Sequence, residues 1–583
     1  MLNWLKKNIL PVILFLLMAL LGLGRAFNDI PPYATGDGPE YVLTTEALYN
    51  HFSPDIRYED AQSFKKSYTA LARWDKNFKY PNFDDIEAWL KIPNKEFMSM
   101  HGGIYVAENK KSYGYHFFFY SLINVPARLI AELVKGDPLR CFQVTNAFLI
   151  LSVCFYFLFF SRLKKWSACL LSLSFFFSSV YWYTGWTHPE VFTACLVALG
   201  VFFFLNNRIY WSLALISIAA TQNQPLIVLL AFIFLKHFLD VKLQWKSLFK
   251  AAAISLPAVF PPLFYLIHFG TTNLIKDAGF LSTDYIHFTR VFGFYWDFNQ
   301  GVLLAIPLIL IAYVGIIITN SFKQLTKKEN FSFDILLPLV LIVMTCVVST
   351  MGNWNHGQAI INRYATWFSA IILVHTFYLF SKNDGLVSIV FQNYFFASQA
   401  FTTLYHEQFN QYDWDMSFHK PLAKYFLEYH PSIYNPDPTI FIVRTTHGYN
   451  TGPSASPVFY YRDKKNPNSS FFQITKMAVH ENAIQDLTRF GFSQEDLNKL
   501  KPRLNYVNGW AYINKGELNS KLSAKEIFYI ERENKLKIKA DQIKENKIWV
   551  EDIKRKANEW GKTFDEVLRL DAEYLLSEEE KAE

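Results

Sequence analysis

Apolar runs broken by short polar stretches fill residues 1–400 of this 583-residue chain. The runs are 8–24, 139–161, 166–183, 190–206, 209–221, 224–236, 249–269, 301–319, 334–350, 364–380 and 385–401. A membrane-crossing helix needs about 20 mostly apolar residues, and shorter ones are tolerated inside a bundle. The pattern predicts a mainly α, polytopic transmembrane helix bundle of about 11 helices over residues 1–401. Runs 209–221 and 224–236 are short and meet at Thr221, Gln222, Asn223 and Gln224. They predict either a hairpin of short helices or a re-entrant element. Residues 113–134 are apolar enough to span, but an interfacial helix on the outer leaflet fits the charge pattern better.

Residues 402–583 read as a water-soluble chain. Two apolar stretches flank a Lys-Asn-Pro-Asn turn within 458–479, the pattern of a β-hairpin. Residues 402–522 are therefore expected to form a soluble α+β region, and 523–583 a charged helical tail. In that tail Ile543, Trp549, Ile553, Ala557 and Trp560 form one apolar stripe, with Gly561 ending the helix.

Lysine and arginine orient the chain, because they collect in short cytoplasmic loops. With Lys6 and Lys7 inside, successive inner loops receive Arg162, Lys164 and Lys165, then Arg208, then Lys236, Lys242, Lys246 and Lys250. Lys323, Lys327 and Lys328 come next, then Lys382. The first outer loop with its interfacial helices covers 25–138, and short outer loops fall near 184–189, 222–223, 270–300 and 351–363. Parity places the N-terminus inside and residues 402–583 outside; if 385–401 does not span, the tail is cytoplasmic. Residues 9–23 read as an uncleaved first span, since Gly24, Arg25 and Ala26 make a poor cleavage site.

Composition sharpens this picture. Half the chain (51%) is hydrophobic and only 18% is charged, below the roughly 25% of an average soluble domain. The net charge of +7 is spread over loops, with no basic, aromatic-interleaved face for nucleic acid. Cys141, Cys154, Cys169, Cys195 and Cys346 all lie inside apolar runs, at no metal-ligand spacing, and read as small hydrophobes.

Candidate chemistry gathers in the outer loops. The first opens with Asp37 and Glu40, the second carries His188 and Glu190, and the third reads TQNQP. The fourth ends in Trp296, Asp297, Asn299 and Gln300, and the fifth holds Asn355, His356 and Arg363. Ionisable groups at helix edges are costly to desolvate and mark function. Each has a plainer alternative. The tryptophans suit an interfacial belt. Asn299 and Gln300 suit a helix start, and His188-Pro189-Glu190 suits a helix N-terminus with an acid in its first turn. Asp37, between Gly36 and Gly38, fits an N-cap for a helix over 39–50 as well as an uncovered site acid.

Four strings carry a family likeness: GDGPEYVLTTEAL at 36–48, THPEVFTACLVALG at 187–200, WDFNQGVLLAIPLILIAYVG at 296–315 and NWNHGQAIINRYATWFSAII at 353–372. In their order and sidedness, residues 1–400 resemble the GT-C superfamily of membrane glycosyltransferases. Protein O-mannosyltransferases and lipid A aminoarabinose transferases belong to that superfamily. The resemblance implies an inverting glycosyltransferase in the cytoplasmic (inner) membrane. Such an enzyme moves a sugar from a polyprenyl-phosphate carrier to an acceptor hydroxyl on a glycan, lipid or protein at the outer face. It implies Asp37 as general base and Arg363 as partner of the leaving phosphate, with His356 and Arg290 as weaker candidates. Glu40, His188, Glu190, Trp296, Asn299, Gln300, Asn355 and His356 are expected around the substrate. Many members carry paired acids; here Asp37 and Glu40 stand three residues apart, so a divalent cation is possible and no cofactor or metal ligand is assigned. Two other readings share the sequence: a transporter or flippase of a lipid-linked saccharide, and a non-catalytic assembly protein on the same scaffold.

Overall fold

The computed structural model describes residues 2–29, 34, 36–71, 83–242, 244–327, 333–355, 360–382, 385–407, 417–447, 458–463, 473–480, 493–504, 509–514, 536 and 539–582. Two compact units emerge. One comprises Met1–Ile286, Phe294–Gly352 and Gly357–Asn410; the other comprises His287–Gly293, Asn353–His356 and Gln411–Glu583.

In the first unit the apolar runs are mainly helical. Among the described residues six helices are long and apolar enough to cross a membrane: Asn8–Phe27, Arg140–Phe160, Gln224–Val241, Trp245–Phe269, Pro307–Thr326 and Arg363–Ser381. Glu190–Leu205, Ile209–Ala220 and Ile335–Val348 are apolar but shorter. Leu20, Phe148, Ile267 and Ile318 are more than half exposed, a surface that hydrocarbon rather than water would cover. The run 209–236 forms two packed helices, Ile209–Ala220 and Ile227–Val241, joined through the turn at 221–226.

Two of the expected spans are broken. The run 166–183 divides into Lys165–Phe176 and Ser179–Trp182, with Ser178 extended between them. The run 301–319 opens with a single turn, Val302–Ala305, before the helix Pro307–Thr326, because Ile306 leaves helical geometry and Pro307 restarts it. Each break frees backbone carbonyls where no water can satisfy them. Gln399, on the helix Leu386–Glu407, serves both. Its Nε2 donates to Phe177 O at 3.0 Å and to Ala305 O at 2.6 Å. Thr403 Oγ1, one turn on, also donates to Phe177 O. The burial of Gln399 in this helix is thereby explained. At its end this helix meets the first span, where Arg25 Nη2 donates to Glu407 at 2.7 Å and stacks over Tyr181.

Between the first and second spans lie the helix Gly38–His51, a three-stranded antiparallel sheet (Met100–His101, Ile104–Val106 and Ser112–Gly114) and the helix Phe119–Leu133. That last helix is inverted relative to a soluble one. Its inner face carries Asn124 and Arg128, the latter donating from Nη2 to Glu46 at 3.2 Å, while Leu122, Leu129, Ile130 and Leu133 point outward. An outward apolar face suits a helix lying in a membrane interface.

In the second unit Val458–Asp463, Gln473–His480 and Trp510–Asn514 make an antiparallel sheet accompanied by Pro421–Tyr429, Pro438–Thr445 and Gln494–Leu504. The turn at 465–468 lies outside the described residues. In the tail, Ile543, Ile553 and Ala557 pack on Val567, Leu568 and Ala572 of the helix Phe564–Ala582. Trp560 is half exposed, and Gly561 caps the first helix in left-handed geometry.

Replacing Gln399 by Met, which keeps the volume and removes the donors, is expected to destabilise the protein by about 1–3 kcal/mol, the cost of leaving the buried Ala305 carbonyl unpaired while Thr403 still serves Phe177 O. Thermal unfolding in detergent checks this; an unchanged Tm would contradict it.

Candidate active site

The helix Gly38–His51 starts in a way that only its own residues permit. Gly36 adopts φ +60°, which L side chains rarely take. At Gly38 a Cβ would stand 2.7 Å from Thr187 Oγ1 and 3.7 Å from His188 Nε2, so glycine lets the helix start pack directly against that loop. Pro39 supplies the fixed φ of a first turn. Asp37 occupies the N-cap position, but its side chain makes no capping bond. It accepts instead from Arg363 Nη1 at 2.7 Å, across 326 residues of sequence.

Arg363 begins the helix Arg363–Ser381, an unfavourable place for a cation because of the helix dipole. Asp37 offsets that, and the guanidinium also lies 5.1 Å over the Tyr364 ring. The loop 297–301 sets the position. Asp297 Oδ1 accepts from the N–H groups of Asn299 (2.7 Å) and Gln300 (3.0 Å), and Gln300 O accepts from Asn362 N at 2.9 Å. Gly301 closes this turn, since a Cβ there would stand 2.6 Å from Asp297 N. Asn362 then caps the helix through Tyr364 N. Burial disfavours the charged form of Asp37, but Arg363, with smaller help from His116, outweighs it and holds the carboxyl well below the usual range.

Glu40 faces away from Asp37. Its carboxylate accepts from Tyr115 N at 2.8 Å and pairs with His116 Nδ1, fastening the strand Ser112–Gly114 and the segment after it to the helix. Burial raises the Glu40 carboxyl above its ordinary value. The same burial works against a charged His116, yet Glu40 beside it raises the imidazole. His116 stacks on Tyr41, with centroids 5.2 Å apart.

His188 is buried between Tyr41 and Trp186, and neither ring nitrogen has a protein partner. Burial pushes its pKa down to about 3, so it is neutral. Glu190, the first residue of Glu190–Leu205, keeps Oε2 unpartnered.

Of these groups Tyr41, Tyr115, His116, Glu190, Arg363 and Tyr364 line a cavity of about 390 Å³, while Asp37 and His188 stand beside those residues and are not among its lining. The turn Gln222, Asn223 and Gln224, with Asn273, adds a bank of amides; Ile227, Pro261, Ile275 and Val347 are among the apolar lining. Among the described lining residues Arg363 is the one lysine or arginine. Loops 280–282 and 350–352 border the cavity as a short antiparallel clasp, with Ser282 N to Thr350 O and Gly352 N to Phe280 O both 2.8 Å.

The structure therefore brings Asp37, Arg363, His188 and Glu190 together. Glu40 lies behind them, engaged at both oxygens. Trp296, Asn299 and Gln300 do not line the cavity; Gln300 supports the start of the Arg363 helix instead. Asn355 belongs to the second unit, where it accepts from Arg444 Nε at 3.0 Å. Arg290 is in the same unit and is paired with Asp437 at 2.9 Å. His356 lies outside the described residues. The residues that sequence reasoning missed are Tyr41, Tyr115, His116, Asn273 and the amide turn, of which only TQNQP stood out as a polar interruption. Among the described residues, no three histidine, cysteine, aspartate or glutamate side chains are grouped to hold a metal ion. All five cysteines are free.

No family model matches the chain, and no curated protein does. Two solved structures of the Archaeoglobus fulgidus oligosaccharyltransferase, one apo and one of AglB with an inhibitory peptide and a dolichol-phosphate, align at 12% and 13% identity. Each alignment has a TM-score of 0.37 and covers 75% of this chain; the chain spans 61% of those proteins' length. A likeness of that degree establishes neither the fold nor the activity.

His188 gives a pH signature. An ordinary histidine takes up a proton near pH 6.5, whereas this one stays neutral in the folded state. Between those two values the unfolded chain binds more protons, so stability falls as pH falls. Its contribution at about pH 5 is a loss of roughly 2 kcal/mol relative to pH 7. His188→Gln is expected to flatten that part of the stability–pH curve, and an identical slope in the variant would contradict it.

Proposed function

We propose that the protein is a multi-pass membrane glycosyltransferase that moves a sugar from a polyprenyl-phosphate carrier to an acceptor hydroxyl, inverting the anomeric configuration. The observation that carries this reading is the Asp37–Arg363 pair beside a cavity with amide, aromatic and apolar lining. Such a lining suits a ligand with three chemistries: an isoprenoid against Ile227, Pro261, Ile275 and Val347, hydroxyls against the amide turn, and an anion at Arg363. Asp37 Oδ2 removes the acceptor proton as the acceptor oxygen attacks the anomeric carbon. The bond from that carbon to the phosphate oxygen breaks, and Arg363 holds the departing charge. Glu190, which lines the cavity, is placed to orient hydroxyls. The contact between Arg25 and Glu407 supports a tail emerging at the face where the first loop begins. We assign that face as the outer face of the cytoplasmic membrane.

Asp37→Asn keeps the shape and removes the base. Transfer from polyprenyl-phosphate sugars in membranes is expected to fall by about 10²–10⁴-fold at unchanged expression. Undiminished transfer would refute the assignment, and translocation of the lipid-linked sugar across vesicles by the purified variant would favour a transporter. Gln222 Nε2 is held by Phe117 O at 2.8 Å, which leaves its buried Oε1 as an acceptor without a protein partner. Gln222→Leu is expected to weaken sugar-donor binding about 5–30-fold, the equivalent of one to two hydrogen bonds, with little effect on polyprenyl phosphate lacking the sugar. Equal losses for both ligands would remove the turn from the sugar site.

A further inference from the structure

Asp37 in this structure is a poor base, because its own counter-ion holds it ionised. We propose that Arg363 is a counter-ion shared in turn by Asp37 and by the donor phosphate, so that binding the phosphate converts Asp37 into the base. The proposal rests on the donor reading above and extends it to how the site is switched on.

The geometry makes the two roles compete. Arg363 Nη1 is the group that holds Asp37, at 2.7 Å, and Nη2 makes only a 3.3 Å contact to Tyr364. Arg363 is also the one lysine or arginine among the described residues lining the cavity. An anion entering there draws on the cation that Asp37 already uses.

No second lysine or arginine among the described lining residues replaces that charge, and His116, which also favours the Asp37 carboxylate, is paired with Glu40. Tyr364 follows Arg363 on the same helix and offers a phenol rather than a cation. The loop before Glu190–Leu205 presents His188, which is neutral, and Glu190, which is acidic. The segment after Ser112–Gly114 presents Tyr115 and His116, the latter committed to Glu40. Its own helix presents Glu40 and Tyr41. With Arg363 turned to phosphate, Asp37 is left in a partly buried, predominantly neutral and acidic setting beside a new anion. Its proton affinity must then rise. The acceptor's proton moves to Asp37 Oδ2, the acceptor oxygen bonds to the anomeric carbon, and the electron pair of the broken bond leaves on the phosphate oxygen that Arg363 holds. Without the donor, Arg363 quenches the base, so a bare acceptor meets an inactive carboxylate.

Linkage makes this measurable without knowing the sugar. Full-length protein in lipid nanodiscs is titrated calorimetrically with undecaprenyl phosphate at about pH 5, where a phosphate monoester is already a monoanion, in two buffers of different ionisation heat. Wild type is expected to take up as much as about one proton per ligand more than Asp37→Asn, and its Kd to tighten, by at most tenfold per pH unit, as pH falls from about 5 to 4. Equal proton uptake in the two proteins overturns the proposal. Should Asp37→Asn not fold, a wild-type Kd that is flat or weakens over that pH range overturns it alone. Wild type that binds no undecaprenyl phosphate removes the donor reading itself, whereas binding without proton uptake removes only the switch.

Discussion

One ion pair organises the first unit. Asp37 and Arg363 are 326 residues apart, and each sits at a helix start that other residues shape. Gly36, Gly38 and Pro39 set the carboxylate against the 187–188 loop. Asp297, Gln300 and Asn362 set the guanidinium. Neither charge is well placed alone: the cation opposes a helix dipole and the carboxylate is partly buried. Together they form a charge-balanced element beside a cavity, a pairing that an anionic ligand can re-partition.

The same requirement, that polar groups away from water find partners, accounts for the helical frame. Breaks near 177 and 306 are tolerated because Gln399 and Thr403 satisfy the carbonyls they release. Arg128 and Glu46 let an outer helix turn a polar face inward and an apolar face outward. The cavity then combines amides and tyrosines with aliphatic side chains and one guanidinium. That mixture is suited to a ligand which is part lipid, part anion and part polyol.

Much of the frame was legible in the sequence, because apolar runs report helices directly. Asp37 and Arg363 also stood out, as charges at the ends of such runs. Local pattern could not decide between capping and chemistry for Asp37: the N-cap position is real, but the side chain bonds elsewhere. Nor could it show that Glu40 is spent on Tyr115 and His116, or that Gln300 supports Asn362 instead of lining the cavity. Those partners lie 62 or more residues away, beyond any helical or strand period. Nor does the run 385–401 disclose what Gln399 serves, because the two helix breaks whose carbonyls it meets lie 94 and 222 residues away.

The central claim is that Arg363 receives the phosphate of a lipid carrier beside Asp37. The most direct measurement is an electron cryomicroscopy structure of the protein with undecaprenyl phosphate. The account predicts the phosphate within hydrogen-bonding distance of Arg363, its isoprenoid running along Ile227, Pro261 and Val347, and Asp37 released from the guanidinium. A lipid phosphate bound away from this cavity, with the Asp37–Arg363 pair intact, would contradict it.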